Sequence, residues 1–396
     1  MSNLNQDALG GTGAPAGQRP VVFMLTAGIA VIGANSLLLG PIAPEVALTF
    51  GAEVRGVMAA AAAYGLGTAA GALFLARFID RVGARRMLSL ALAVLTLALA
   101  ASAAAPAVAA LIAAQLLAGL AAGVALPAIY ALAAAVAPPG RESETIGVVL
   151  TGWTLSMVAG VSLSTVIADL AHWRLVYAVL ASLGLFGALV LGLGAVREAK
   201  AAGGLTPSPL QALALPGVAR LLLVCAAYMV AFYGVYAYLG DHLHRVLGQP
   251  TSANGLVTLA YGLGFGGAAA LDRVIDRVGP RRAMPAAYAG IAAVYLAMAP
   301  GSGSLAVLVA LALLWGLLNH FGLNLLILRL GAIDPARRGT IMGLNSAVTY
   351  LAASAGTLGF GPLYSHGGLP LLAAVAAGLL ALGAVLTAGG LLHRKG

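Results

Sequence analysis

One apolar stretch, residues 304–329, carries polar side chains that could hold a ligand or a proton. In chain order they are Trp315, Asn319, His320, Asn324 and Arg329. At 100° per residue, Asn319, His320 and Asn324 fall within an arc of about 140° on a helix. Imidazole has an ordinary pKa near 6.5, so it changes charge in the physiological range. This stretch therefore favours ligand binding and proton exchange.

Other polar side chains interrupt equally apolar runs. They are Asn35 with Ser36, Gln115, and the aromatic group Tyr228, Phe232, Tyr233 and Tyr236. Polar groups in such runs are expensive to bury in lipid and are functional candidates by default. Alternatives stay open: an interfacial belt for the tyrosines, hydrogen bonds between helices for Asn35 and Gln115, a satisfied core position for His320. Arg329, near a helix end, can extend to the membrane surface.

A titratable group follows the tyrosines, with Asp241, His242 and His244 within four residues. Asp241 is a second candidate for proton coupling. The same trio resembles a loose metal site, but we favour a solvated helix end and predict no metal.

The composition requires a membrane. The 396 residues are 61% hydrophobic and 8% charged, whereas soluble domains carry roughly 25% charged residues. The single cysteine, Cys225, excludes an intramolecular disulfide. Residues 1–20 lack the basic start of a signal peptide and predict a cytoplasmic tail. The chain has no HExxH, GxSxG or GxxxxGK[ST] motif, so we expect neither an enzyme nor a nucleotide-driven pump, and no cofactor.

Twelve apolar segments are long enough to cross a bilayer, which takes about 20 residues each. They lie near 21–45, 55–76, 86–104, 106–136, 145–168, 173–196, 217–240, 253–272, 282–300, 304–329, 339–362 and 368–392. The sequence thus predicts an all-α integral membrane protein.

Basic residues predict the orientation. With the N-terminus inside, 17 of the 21 Lys and Arg residues fall in cytoplasmic segments. The positive-inside rule therefore puts both termini in the cytoplasm. The positive net charge marks topology, and we expect no nucleic-acid partner.

The chain contains a duplication. "ARFIDRVGARRM" at 76–87 returns as "DRVIDRVGPRRA" at 272–283, an offset of 196 that also pairs Pro139 with Pro335 and Gly147 with Gly343 without a gap. Two parallel six-helix repeats predict a transporter whose ligand site lies between them at mid-membrane. The predicted divisions are a tail (1–20), an N-terminal bundle (21–196), a cytoplasmic linker (197–216), a C-terminal bundle (217–392) and a tail (393–396).

The repeated Asp-Arg-x-Gly-x-Arg-Arg loop resembles the major facilitator superfamily. The segments "QLLAGLAAGVALPAIYALAAAVAPPGRE" and "HWRLVYAV" resemble its bacterial twelve-helix drug–proton antiporters. Three positions depart from those patterns: Ala76 replaces the loop's first Gly, Gln115 replaces an Arg, and the fifth segment lacks its Gly-Pro pair.

The resemblance implies that helices 1, 4, 7 and 10 line a central cavity. The predicted substrate contacts are then Asn35, Gln115, Tyr228, Tyr233, Tyr236, Trp315, Asn319, His320 and Asn324, with His320 and Asp241 for proton coupling. No acid falls at mid-membrane, since Glu45, Asp169 and Asp241 map to outer helix ends.

The duplicated loops predict gates. Asp80 can face the positive N-terminus of the eleventh helix across the two halves, and Asp276 the fifth. Arg81 and Arg85, and in the second copy Arg277 and Arg281, can tie neighbouring helix ends. Small residues every four positions in the fifth and eighth helices predict close packing between the halves.

These observations predict a secondary transporter that exports small, partly apolar organic molecules, driven by the proton gradient. The alternatives are uptake or exchange of an organic anion held by His320 or Arg329, and a non-transporting membrane sensor. We expect a monomer in a bacterial cytoplasmic (inner) membrane.

Overall fold

Long apolar helices make up nearly all of the described chain. The computed structural model describes residues 19–138, 142–193, 209–271, 278–334 and 337–392, without the side chains at 19, 80, 142–144, 193, 209 and 389–392. Within these ranges there is no β-strand. A backbone in hydrocarbon must satisfy its own polar groups, and helices do so within one segment.

Six spanning helices form the first half. They are α1 (Arg19–Phe50), α2 (Val54–Ala70, continuing through a π-helical turn and then a 3-10 turn to Phe78), α3 (Ala84–Ala103), α4 (Val108–Val136), α5 (Glu142–Leu155, continuing through Ser156–Val161 and Ser162–Leu170) and α6 (Trp173–Leu193). α1 runs five residues beyond its predicted end, because Pro41 and Pro44 lie inside the helix and do not end it.

The second half begins with α7 (Val218–Asp241, continuing through His242–Val246), α8 (Ala253–Gly267), α9 (Pro280–Gly301) and α10 (Leu305–Gly331). The stretch Arg338–Leu392 is 55 residues long and breaks at Gly368, where φ is 59°. We treat residues 338–367 as α11 and 369–392 as α12. The described chain therefore crosses twelve times, and the predicted fold class is confirmed.

The duplication is visible in the backbone. Gly83 precedes α3 with φ 98° and ψ 141°, and Gly279, 196 residues later, precedes α9 with φ 84° and ψ 141°. Glycine is the residue that adopts this left-handed region without steric cost. The repeated loop therefore turns by the same backbone conformation in each half.

The gapless offset of 196 is wrong inside the helices. Gly119 of α4 abuts the Tyr64 carbonyl of α2, and Gly316 of α10 abuts the Tyr261 carbonyl of α8 in the same way, at an offset of 197. Between Tyr64 and Gly83 the offset falls from 197 to 196. The reason is a π-helical turn in α2, Gly71–Leu75, which adds one residue to the first half.

The predicted linker is only partly described. A short helix, Pro209–Leu213, lies in its second part, while 194–208 fall outside the described residues. The domain boundaries and the orientation of the termini stay predictions. We call the end of the bundle at which α1 finishes, near Phe50, the predicted outer end.

The halves meet along three helix pairs. α1 contacts α7, α2 contacts α11, and α8 contacts α5. The small residues of α8 serve this contact, since a Cβ on Gly262 would lie 2.8 Å from Val158 of α5. Those of α5 do not, because Gly152 and Gly160 face Ile29 and Ala34 of α1 in their own half. The prediction of paired stripes was therefore right for one helix and wrong for the other.

Candidate substrate site

Asn319 lies at the centre of a hydrogen-bond chain in the second half. Its side-chain Nδ2 donates to the Tyr261 hydroxyl at 3.0 Å, and its backbone carbonyl accepts from the Tyr228 hydroxyl at 3.1 Å. Asn319 is fully buried. The chain links α7, α8 and α10 and holds the amide of Asn319 in one orientation.

An aromatic cluster surrounds Trp315, one helical turn before Asn319. The Trp315 ring lies 5.1 Å from Phe232, 5.1 Å from Tyr261 and 5.5 Å from Tyr295, measured between centroids. Tyr236 stacks on Phe232 at 5.6 Å. Such rings offer apolar area with few rotatable bonds, which suits a wall that binds flat or apolar molecules.

Four polar atoms in this cluster are buried without a hydrogen bond of standard geometry among the described residues. They are the Trp315 indole Nε1, the Tyr236 and Tyr295 hydroxyls and Asn319 Oδ1. A buried polar group left unsatisfied costs roughly 1–3 kcal/mol. An indole N–H, two hydroxyls and an amide oxygen on one apolar wall form the kind of site that an amphiphilic ligand completes.

The cluster is closed against the first half. A cavity of about 10 Å³ remains between Pro41 of α1 and the side chains of Tyr236, Thr258 and Trp315. That volume is about one water probe. A substrate can therefore reach these atoms only if α1 and the second half separate.

His320 and Asn324 lie on the same helix but outside the cluster. The His320 ring packs against Phe265 of α8 at 5.2 Å and against Phe321 at 5.8 Å. Both polar side chains are half-buried. His320 is the counterpart of Gly123 in the first half. Gly123 of α4 packs against α2 between Thr68 and Ala72, and His320 of α10 packs against Phe265 of α8 in the same way.

Asn35 and Gln115 contact each other in the first half. Asn35 Nδ2 donates to Gln115 Oε1 at 3.1 Å, and Gln115 Nε2 donates to Ser102 Oγ at 3.0 Å. Both side chains are buried. The arrangement ties α1, α3 and α4 together, which matches the alternative of hydrogen bonding between helices; contact with substrate stays a prediction.

Tyr228 and Tyr233 occupy different surroundings. Tyr228 is buried against Tyr288 of α9, with ring centroids 5.6 Å apart. Tyr233 is half-buried, and its hydroxyl faces Ser36 of α1 across the two halves. Of the predicted tyrosines, Tyr233 and Tyr236 therefore lie toward the first half.

The prediction of a solvated helix end at Asp241 was wrong. Asp241 and His242 are 0% and 3% exposed. Arg245 Nε lies 3.0 Å from Asp241 Oδ2, and His242 Nε2 lies 2.8 Å from the Ser302 carbonyl oxygen. α7 continues as a helix to Val246, which carries these residues into the protein. No group of three metal-ligating side chains occurs among the described residues.

The predicted gating residues separate into two sets. Arg85 donates from Nε to the Leu191 carbonyl at 3.0 Å and from Nη2 to the Gly192 carbonyl at 3.2 Å, which ties α3 to α6. Arg81 is exposed, and Arg281 lines a cavity described below. The Asp80 side chain and all of Asp276 and Arg277 lie outside the described residues, so the latch stays a prediction.

Sequence reasoning missed three residues of these networks. Tyr261 and Tyr295 lie on α8 and α9, outside the four helices considered, and Ser102 is on α3. The signal for Tyr261 was available, because it precedes Gly262 in the small-residue stripe of α8. Close packing of α8 on α5 and of α10 on α8 brings such a residue to the interface.

Two six-helix halves that meet over a closed, aromatic-walled site define a secondary transporter and not an enzyme. Comparisons with known proteins agree. The family model of the Major Facilitator Superfamily matches residues 25–357, and the chain belongs to this superfamily.

Relatives and solved structures extend the comparison. The chain is 27% identical to YwfA of Bacillus subtilis (strain 168), described as an uncharacterized MFS-type transporter, over 93% of this chain and 91% of that one. The human organic anion transporter MFSD10 (TETRAN) has the same fold, with a TM-score of 0.69 and 21% identity over 94% of this chain and 100% of that one. A bacterial homolog of the human lysosomal transporter Spinster, inward-facing and unoccupied, gives 0.71 and 16% over 96% of each.

Proposed function

We propose that this transporter exports small, partly apolar organic molecules by alternating access in exchange for protons. The observation that carries the substrate class is the aromatic cluster around Trp315 with its four unsatisfied polar atoms. Aromatic walls supply most of the contact area, and few polar groups fix the orientation of the ligand. The cluster contains no charged side chain, which favours neutral or weakly charged molecules.

Hydrogen bonds between the two halves near one end support alternating access, since such contacts must break for that end to open. Near the predicted outer end, Asn254 of α8 donates to the Pro41 carbonyl of α1 at 3.1 Å, and Thr251 donates to Glu45 at 2.9 Å. We interpret these contacts between the halves as a state closed at the predicted outer end.

Proton exchange is assigned to His320, with Asp241 as the second candidate. The half-buried His320 lies on α10, the helix that carries Trp315 and Asn319. A movement of α10 on protonation of His320 would therefore move both of these residues. Asp241 is buried at the predicted outer end beside the exposed Arg245. Its protonation would release that ion pair.

The organic anion is the second candidate substrate. A histidine in its charged form attracts carboxylates, and MFSD10 (TETRAN), which has the same fold, is named an organic anion transporter. Arg329 lies in a separate cavity within the second half, which leaves His320 as the cation for this alternative. We place the protein as a monomer in a bacterial inner membrane.

Transport into proteoliposomes tests the proposal. The purified protein is reconstituted, the lumen is made acidic, and uptake of fluorescent lipophilic solutes is compared with uptake of radiolabelled organic anions. We expect accumulation of the lipophilic solutes that a protonophore abolishes. Accumulation of the organic anions alone would overturn the proposed substrate class. Accumulation that does not depend on the pH gradient would overturn the proposed proton coupling.

A further inference from the structure

A second cavity, much larger than the first, lies within the C-terminal half. It measures about 780 Å³ and is bounded by the starts of α7 and α9, the end of α10, and Thr387 of α12. Four arginines line it: Arg220, Arg281, Arg282 and Arg329. No carboxylate appears in its wall among the described residues. Because this cavity shares no lining residue with the small cavity beside Trp315, the two are separate.

Among the described residues, no carboxylate compensates the charge of Arg329 in this cavity. Its guanidinium is half-buried, and its hydrogen bond goes from Nη1 to the Met284 sulfur at 3.2 Å. A thioether is a weak acceptor. Arg220 and Arg281 lie close enough to repel it. A partly desolvated cation that faces like charges is unfavourable unless an anion joins them.

The duplication does not explain these arginines. At offsets of 196 and 197, the first-half counterparts of Arg329 are Ala133 and Leu132, and those of Arg220 are Met24 and Phe23. The counterpart of Arg281 is Arg85, whose guanidinium caps the end of α6. In the described chain, Arg281 makes no equivalent hydrogen bond to the end of α12, which is the counterpart of α6. That part of α12 contributes Thr387 to the cavity wall. The second half therefore has two arginines, Arg220 and Arg329, that the first half lacks. Within the described residues, its third, Arg281, does not cap a neighbouring helix as Arg85 does.

We propose that this cavity binds a phosphate group, carried by an anionic phospholipid or by a free phosphate ester. Guanidinium groups match phosphate oxygens with paired, charge-assisted hydrogen bonds. Basic pockets between spanning helices on the cytoplasmic side suit anionic head groups. The rest of the wall is largely apolar, with Leu221, Leu328 and Ile333 beside the arginines, and it accommodates the first carbons of an acyl chain.

Native mass spectrometry of the detergent-purified protein tests this site. Retention of phosphatidylglycerol is titrated against phosphatidylcholine, and glycerol phosphate and inorganic phosphate are added as competitors. Charge-assisted hydrogen bonds from guanidinium to phosphate are stronger than neutral ones, so Arg329→Gln with Arg220→Gln should weaken phosphatidylglycerol binding about tenfold or more. Displacement by glycerol phosphate identifies a phosphate-ester site; persistence of the lipid identifies a lipid site.

Arg86→Gln is the matched control. Arg86 is exposed and is the first-half counterpart of Arg282, so its loss removes the same charge at the same depth without touching the cavity. Binding by this variant should equal that of the wild type. Equal losses in both variants, or none in the double variant, would overturn the proposal. Arg220→Gln alone, at an exposed helix start, serves if the double variant does not fold, and a loss of at least severalfold is expected.

Discussion

Gly240 of α7 rests directly on the backbone of Gly40 of α1. A Cβ on Gly240 would lie 2.7 Å from the Gly40 carbonyl oxygen, and one on Gly40 would lie 3.2 Å from the Tyr236 carbonyl oxygen. Paired small residues permit this approach between membrane helices. Because α1 and α7 belong to different halves, the contact closes the predicted outer end directly above Tyr236 and Trp315.

Substituting Gly240 by Val should open this end. The added atoms cannot fit against the Gly40 carbonyl, so α1 and α7 must separate. In a Cys225→Ser background, Thr258→Cys in the small cavity should then react severalfold faster with a membrane-impermeant maleimide. Gly267→Val is the control, since a Cβ there meets nothing within 4 Å. Unchanged labelling in the Gly240 variant would show that the contact is not a gate.

Trp315→Phe separates substrate binding from stability. The change keeps an aromatic ring but removes the buried, unsatisfied N–H. The melting temperature should fall less than that of Trp173→Phe, because both changes lose the same side-chain volume and Trp315 has no hydrogen bond of standard geometry to lose. Affinity for a transported solute, measured by ligand-induced stabilisation, should fall about tenfold if one hydrogen bond of about 1.4 kcal/mol is lost.

Trp173→Phe provides the opposite pattern. The Trp173 indole donates to the Thr49 hydroxyl at 2.9 Å within the first half. Its loss should lower the melting temperature and leave solute affinity unchanged. The assignment of Trp315 fails if both variants behave alike.

The Asn35–Gln115 pair should behave as a structural link. Hydrogen bonds between membrane helices average about 0.6 kcal/mol and reach about 1.7 kcal/mol in double-mutant cycles. We expect a coupling of that size between Asn35→Leu and Gln115→Leu when unfolding is followed in detergent. A lower solute affinity with no coupling would instead assign the pair to the substrate.

His320→Gln tests proton coupling. Histidine is the side chain best suited to exchange a proton under physiological conditions, so wild-type transport should respond to a pH gradient. The variant should lose most of this dependence while still binding solute. His366→Gln, at an exposed position on α11, should keep it. Full coupling in His320→Gln would move the assignment to Asp241, which Asp241→Asn then tests in the same assay.

The sequence by itself determined the twelve apolar spans, the family and the duplication. The spans follow from local composition, because a bilayer demands about 20 apolar residues per helix wherever the chain crosses it, and the family and the duplication follow from the repeated loop at 76–87 and 272–283. Gly83 and Gly279 were equally readable, since only glycine suits the left-handed backbone that both adopt. The register within the repeat was not, because one π-helical turn in α2 leaves no mark in composition.

Only the tertiary structure decided which polar residues meet. Tyr261 and Trp315, 54 positions apart, form one wall because Gly316 lets α10 approach α8 closely. Asn35 and Gln115 are also polar residues in apolar helices, but they hydrogen-bond to each other. Asp241 became buried because α7 continues past its predicted end. Whether a polar side chain is satisfied or left open depends on the neighbours that packing brings to it, and a one-dimensional pattern does not contain those neighbours.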